Sequence, residues 1–137
     1  MTVSTFKNRT KVMDEENIEV AHGQTIVEQG EEGSGFYILQ SGSLEVIKDE
    51  ILLSVLMYPG TIFGEMSDIL GKSRTCTVKA KKASKITHIH ARDMTEFIQN
   101  NPRIGMKIIK TLASRLDRTT QKLTDTTRES PLWTVRK

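Results

Sequence analysis

The sequence predicts a mainly β domain with flanking helices, the last of them long. Three observations carry this. Short runs alternating apolar and polar residues follow one another between His22 and His90, with glycines separating them. The texture changes to helical spacing after Arg92. From Arg103 to Thr126 there is no proline and a single glycine, Gly105. Short strands at close spacing point to a sandwich or barrel.

Taken in order, residues 1–20 are polar with weak helical spacing and predict a polar or helical lead-in. The folded domain is expected over residues 21–126, with its C-terminal helices over 93–126 and a loosely ordered tail over 127–137. "FYILQSG" and "SLEVIK" alternate as strands do, and Gly42 separates them. "EILLSVLMYPG" is a longer apolar run that ends on the turn signal Pro59-Gly60. "TCTVKA" and "KITHIH" predict two further strands. "DMTEFIQNNP" reads as a short helix, with Asp93 as N-cap and Glu96 three residues on. Pro102 suits the first position of the next helix, because its missing N–H has no partner there anyway. Ile109, Leu112, Leu116, Thr119, Leu123 and Thr126 follow a 3-4-3-4-3 spacing, the pattern of a two-stranded seam, and predict a homodimer. Ile104 and Ile108 offer a neighbouring apolar face to the chain's own sheet.

A chain of 137 residues is the size of one domain and can bury a core without disulfides. Cys76 is the only cysteine, which excludes an intrachain disulfide and a multi-cysteine zinc site. No stretch has the length of a signal-peptide core or the roughly 20 apolar residues of a membrane span, so a cytoplasmic protein with no membrane partner is expected. The net charge of +3 is uneven: residues 1–100 carry 11 Lys/Arg and 14 Asp/Glu, whereas residues 101–137 carry 9 and 3. The basic end suits a solvated helix face and a tail and, secondarily, nucleic acid, an acidic partner or a membrane surface.

The stretch "FGEMSDILGKSRT", Phe63 to Thr75, concentrates the chemistry. Its "GKS" is not a phosphate-binding P-loop: that motif needs glycine at position 66, where Met66 stands, and a helix after the lysine, where "RTCTVKA" reads as a strand. Instead, a glycine turn into "EMSDIL" presents backbone N–H groups at a helix start, and Arg74 brings a guanidinium fork that matches phosphate oxygens. Glu65 would repel a phosphate but can accept hydrogen bonds from a hydroxyl pair such as that of a ribose. A surface ion pair between Glu65 and Arg74 is the plainer reading.

"PGTIFGEMSDILGKSRTCTVKA" (Pro59–Ala80) resembles the phosphate-binding cassette of the cyclic nucleotide-binding domain family. The upstream "GEEGSGFYILQSGSLEV" (Gly30–Val46) resembles a second motif of that family, and the likeness covers about residues 18 to 125. Mild departures are Ile69 for a usual leucine and Cys76 for a common alanine. The resemblance implies an eight-stranded, jelly-roll-like β-roll with a long C-terminal helix, acting as a regulatory sensor for cyclic AMP or cyclic GMP rather than as an enzyme. It also implies roles. Glu65 accepts from the ribose 2′-OH, Gly64 lets the backbone approach, and Arg74 clamps the cyclic phosphate. Met66, Ser67 and Thr75 supply N–H groups or a hydroxyl. "SRLDRTTQKL" (Ser114–Leu123) resembles the dimer-forming helix of the family's catabolite activator branch, which places Thr119 and Thr120 where a hydroxyl pair reads the base. Only about a dozen residues follow that helix, too few for a helix-turn-helix, so direct operator contact of that kind is not expected. The output would pass through a downstream protein partner or a fused effector domain, and no cofactor beyond the nucleotide is expected.

Two other classes compete. "HIH" puts His88 and His90 on one face of a strand, as a cupin-like metal enzyme requires, but a third ligand must come from elsewhere and Glu96 reads as helical. A nucleic-acid-binding dimer could use the basic C-terminal part, but aromatic content of 5% leaves little to stack on bases. No catalytic Ser/His/Asp pattern is present, and Cys76 has no activating neighbour in the sequence.

Overall fold

The computed structural model describes residues 13–91 and 94–128. Eight strands form two four-stranded antiparallel sheets. The strands are β1 (Met13–Val20), β2 (Thr25–Val27), β3 (Phe36–Ser41), β4 (Leu44–Lys48), β5 (Ile51–Leu56), β6 (Ile62–Phe63), β7 (Thr77–Ala80) and β8 (Ser84–Ala91). One sheet has the order β1-β8-β3-β6 and the other β2-β7-β4-β5. Helix α1 (Glu65–Leu70) lies between β6 and β7, and α2 (Met94–Asn100) and α3 (Pro102–Arg128) follow β8. This is the eight-stranded β-roll with a long final helix that the motifs imply.

Alternation decides which side chains meet. Leu39 pairs with Ile86 across β3 and β8, and both are buried with Val20, Val27, Leu44, Phe63, Val78 and Ala80 in one cluster. At about 25 cal/mol per Å² of apolar surface removed from water, each such side chain contributes roughly 1.5–3 kcal/mol. The other face of β3 carries Phe36, whose ring meets that of Phe97 on α2 edge-on at 5.4 Å. The sheet is therefore covered on both sides, which explains why Phe36, Ile89 and Phe97 are all fully buried.

The expected lead-in over residues 1–20 needs correction over its second part. Met13–Val20 is a strand, paired with β8 in unbroken register from Met13↔Ala91 to Val20↔Ser84. The run "MDEENIEV" is rich in residues with poor strand preference, but pairing with a neighbour overrides intrinsic preference in strands. Residues 1–12, the Asp93 cap and residues 129–137 lie outside the described residues. Thr127 and Arg128, assigned to the tail, belong instead to the last helix, which runs through Arg128.

Residues from Asn101 onward form a second compact unit. Helix α3 opens on Pro102 as its sequence predicts, and its 27 residues span about 40 Å at the standard rise. Of the seam positions, Ile109, Leu116 and Leu123 are large apolar side chains exposed to 56%, 67% and 65%.

Gly42 makes a tight turn between β3 and β4. Its φ is +107°, and a Cβ there would come within 2.1 Å of Ser84 Oγ and 2.7 Å of Ser84 Cα. Gly23 has a similarly positive φ of +83° but open space around it. Gly42→Ala is therefore expected to lower the thermal midpoint well beyond Gly23→Ala, with strain of at least about 1 kcal/mol at both sites and the clash added only at the first. Calorimetric melting of both variants checks this; equal losses would mean that the Ser84 contact is not what demands glycine.

Candidate ligand-binding site

Helix α1 starts where β6 ends. Gly64 takes the N-cap position with φ 82° and ψ 2°, a left-handed conformation that side chains resist. A Cβ on Gly64 would also press on the Tyr37 ring at 3.2 Å and on Arg74 Nη1 at 3.3 Å. The helix ends at Gly71, again left-handed, whose N–H donates to Ser67 O. The "GKS" thus closes a helix instead of opening one.

Arg74 lies at the centre. Only 6% of it is exposed. Nη1 donates to Gly64 O at 2.8 Å, to Ser67 Oγ at 2.7 Å and, more weakly, to Gly35 O at 3.3 Å. Nη2 donates to Ser34 O at 3.0 Å. The backbone joins the same loop: Arg74 N–H donates to Glu31 O, and Gly30 N–H donates to Arg74 O. A Cβ on Gly33 would sit 2.5 Å from Arg74 Nε, so only glycine lets this loop lie against the guanidinium. The acceptors of Nη1 and Nη2 are three backbone carbonyls and one hydroxyl, all neutral oxygens. A cation in this state favours an anion nearby.

Glu65, the first residue of α1, is 1% exposed. Asp68, one turn on, feels the same field. Burial pushes its carboxyl above the usual carboxylate range, while a hydrogen bond from the Gly35 backbone and the charges of Arg74 and His88 oppose that shift. Met66 is partly exposed, and Thr75 is half-buried. Cys76 is also half-buried, and Thr75 Oγ1 contacts its Sγ at 3.9 Å.

Behind Arg74 a row of rings crosses the sheet. Phe63, Tyr37 and His88 stand opposite one another on β6, β3 and β8. Tyr37 stacks on Phe63 at 5.1 Å and on His88 at 4.1 Å, and the Arg74 guanidinium carbon lies 5.8 Å from the Tyr37 ring centre. Burial lowers the His88 pKa and raises that of Tyr37, which keeps both neutral near pH 7. Ile26, Val27, Glu28, Glu31, Ser34, Tyr37, Arg74 and His88 are among the residues that line a recess over this row.

The structure therefore brings Gly64, Ser67 and Arg74 into direct contact, with Glu65 and Met66 in the same helix and Thr75 next in chain. Thr119 and Thr120 are exposed on α3, in the second unit. Three contributors escaped the sequence reading. Gly33 and Ser34 hold Arg74 through a loop some 40 residues away, and Tyr37 backs it. They lie within the second motif, Gly30–Val46, which marks a glycine turn before a strand but not its partner Arg74.

The profile described as "Cyclic nucleotide-binding domain" matches residues 17–101. The cAMP-activated global transcriptional regulator CRP of Salmonella typhimurium is 34% identical over 105 residues, covering 72% of this chain and 50% of the regulator. The regulator of the same name from Klebsiella aerogenes matches with the same figures. The chain thus spans about half the length of the curated relatives it matches. Among solved structures, the catabolite activator protein of Thermus thermophilus aligns with a TM-score of 0.70 at 21% identity, over 88% of this chain and 58% of its own. The structure of cAMP-bound PfPKA-R aligns with a TM-score of 0.62 at 22% identity, over 82% and 43%. These two likenesses concern the fold, which is the one derived above. The profile and the 34% identity concern descent as well, and they place the chain in the cyclic nucleotide-binding domain family.

Proposed function

We propose that the chain is a non-catalytic sensor whose cassette binds a cyclic nucleotide, cyclic AMP or cyclic GMP. The observation that carries this reading is the buried Arg74 guanidinium, held by neutral acceptors between Gly64 and the Gly33–Gly35 loop. The cyclic phosphate bears one negative charge and exposes two oxygens. It competes for the Arg74 fork with the Ser34, Gly35 and Gly64 carbonyls and the Ser67 hydroxyl, so binding rearranges the contacts of the loop. Glu65 accepts from the ribose 2′-OH. Gly64, Met66, Ser67 and Thr75 line the sugar-phosphate. Cyclic AMP is the first ligand to test, because the regulators at 34% identity are named as cAMP-activated.

Helix α3 is the element that responds. Thr119 or Thr120 reaches the base, and the stripe of Ile109, Leu112, Leu116 and Leu123 pairs with a second copy. Three of those four side chains are exposed by half or more, which supports a partnered face. Thr119 interrupts the stripe and weakens it, so ligand contact and dimerisation are thermodynamically linked. The output passes to a downstream partner or to a fused effector. No helix among the described residues is long and apolar enough to cross a membrane, which is compatible with a cytoplasmic setting.

Arg74→Lys keeps the charge but loses the fork. It is expected to weaken cyclic AMP by at least about 30-fold, from roughly 2 kcal/mol or more lost at a buried charged contact. Titration calorimetry checks it, and binding within threefold of wild type with unchanged circular dichroism removes the phosphate role. Glu65→Gln is expected to weaken the ribonucleotide by about 10- to 150-fold, from a charge-assisted bond of roughly 1.5–3 kcal/mol, and to leave the 2′-deoxy analogue almost unaffected. Equal losses for both ligands would assign Glu65 a different task. Leu116→Glu is expected to give a monomer in light scattering, whereas Thr119→Ala with Thr120→Ala keeps the dimer and weakens the nucleotide. A wild-type chain that stays monomeric at every concentration, with and without cyclic AMP, would overturn the seam.

A further inference from the structure

The inward face of the β1-β8-β3-β6 sheet ends in a cluster that the nucleotide reading does not use. Glu16 on β1 stands directly opposite His88 on β8, and His90 follows two residues along the same face. A ring nitrogen of His88, a ring nitrogen of His90 and a carboxylate oxygen of Glu16 all lie within 4.8 Å of one another. His90 Nε2 is 3.5 Å from Glu16 Oε1, and the two imidazole rings are 3.7 Å apart at a 46° tilt. Zinc bonds to nitrogen and oxygen are about 2.0–2.2 Å, so tetrahedral neighbours stand roughly 3.4 Å apart. The His90–Glu16 spacing already matches. The remaining closure falls on side chains free to move, since those of His90 and Glu16 are 41% and 62% exposed.

A simple ion pair accounts for Glu16 with His90 but not for the way His88 is held. His88 Nε2 lies 3.0 Å from Ser34 O. A carbonyl only accepts, so this bond places the proton on Nε2 and leaves the lone pair on Nδ1. A backbone carbonyl on the other ring nitrogen is the usual support of a metal-ligating histidine. Tyr37, stacked on His88 at 4.1 Å, fixes the plane of the ring.

We propose that Glu16, His88 and His90 form a binding site for a divalent transition cation of the zinc, cobalt or nickel class. Two imidazoles and one carboxylate suit such ions, whereas magnesium and calcium favour oxygen ligands. Three protein ligands leave a position to water, so the ion exchanges readily. The site also touches the cassette. Ser34 O, which receives the His88 bond, is the oxygen that receives Arg74 Nη2, so an ion that orients His88 steadies the loop against the guanidinium.

The test uses the untagged full chain, stripped with a chelator and free of nucleotide, so that it does not depend on the proposed ligand. Zinc is titrated by calorimetry, and cobalt is followed by its visible absorption. One equivalent per chain is expected, with zinc raising the thermal midpoint of the wild type. His90→Ala and Glu16→Gln are each expected to weaken zinc at least tenfold, and the double variant to lose the thermal shift. The Glu16 side chain is exposed and that of His90 is partly so, so the fold should persist; circular dichroism checks it. His22→Ala, an exposed histidine outside the cluster, and Cys76→Ser are expected to leave binding unchanged. A double variant that binds zinc within threefold of wild type, or a loss of binding in His22→Ala or Cys76→Ser, would overturn the assignment.

Discussion

The guanidinium of Arg74 joins parts of the chain that would otherwise have little reason to meet. It takes carbonyls from Ser34 and Gly35 on one side and from Gly64 on the other, and the Ser67 hydroxyl from within α1. Its own backbone is bonded to Gly30 and Glu31. A charge this deeply buried is tolerated only when its donors are satisfied. The loop before β3, the turn after β6 and the entry to β7 are therefore bound to one side chain. The glycines follow from that constraint. Gly33 and Gly64 stand where a Cβ would collide with the guanidinium or with the ring behind it, and Gly64 has a left-handed φ as well. Satisfying a cation with neutral oxygens also leaves its charge available, and a binding site for an anion needs that condition.

The second organising feature is the row from Phe63 through Tyr37 and His88 to Glu16, one residue from each strand of the sheet in direct register. At the cassette end the row is apolar and packed; at the β1 end it becomes ionisable and open to water. The change follows from geometry. The long strands β1 and β8 pair over eight residues, whereas β3 and β6 pair only at Tyr37↔Phe63 and Ile38↔Ile62. β1 is the edge of the sheet, and β8 pairs with β3 only from Lys85 to Ile89, so Glu16 and His90 each have a strand on one side only among the described residues. Ser34 connects the two ends through a single carbonyl shared by His88 and Arg74.

Family membership and architecture bear on different questions. The relatives at 34% identity are twice as long as the matched part, so their regulatory output is not a property of this stretch alone. What this chain carries is a β-roll with its cassette and a helical unit from Asn101 onward. Ile109, Leu116 and Leu123 of that helix are exposed by half or more, and the acidic-to-basic change along the sequence coincides with the boundary between the units. Cys76, half-buried just before β7, is a small side chain of the kind that packs as an apolar residue.

Strand alternation, glycine punctuation and the proline at the start of α3 were all legible from residue order, because local sterics and burial on one face impose their own periods. So was the stretch that brings Gly64, Ser67 and Arg74 together, because the three lie within eleven residues of chain. The strand at Met13–Val20 was not legible. Its residues prefer other conformations, and only pairing with β8, some 70 residues away, makes it a strand. Sequence separation also hid the partnership of Arg74 with Ser34, 40 residues apart, and the arrival of Glu16 beside His88 and His90. Local periodicity states which face of a strand a residue occupies, but not which strand will lie next to it. Sheet order is a long-range property, settled when the chain closes, and it is sheet order that turned a histidine pair and a distant glutamate into one cluster.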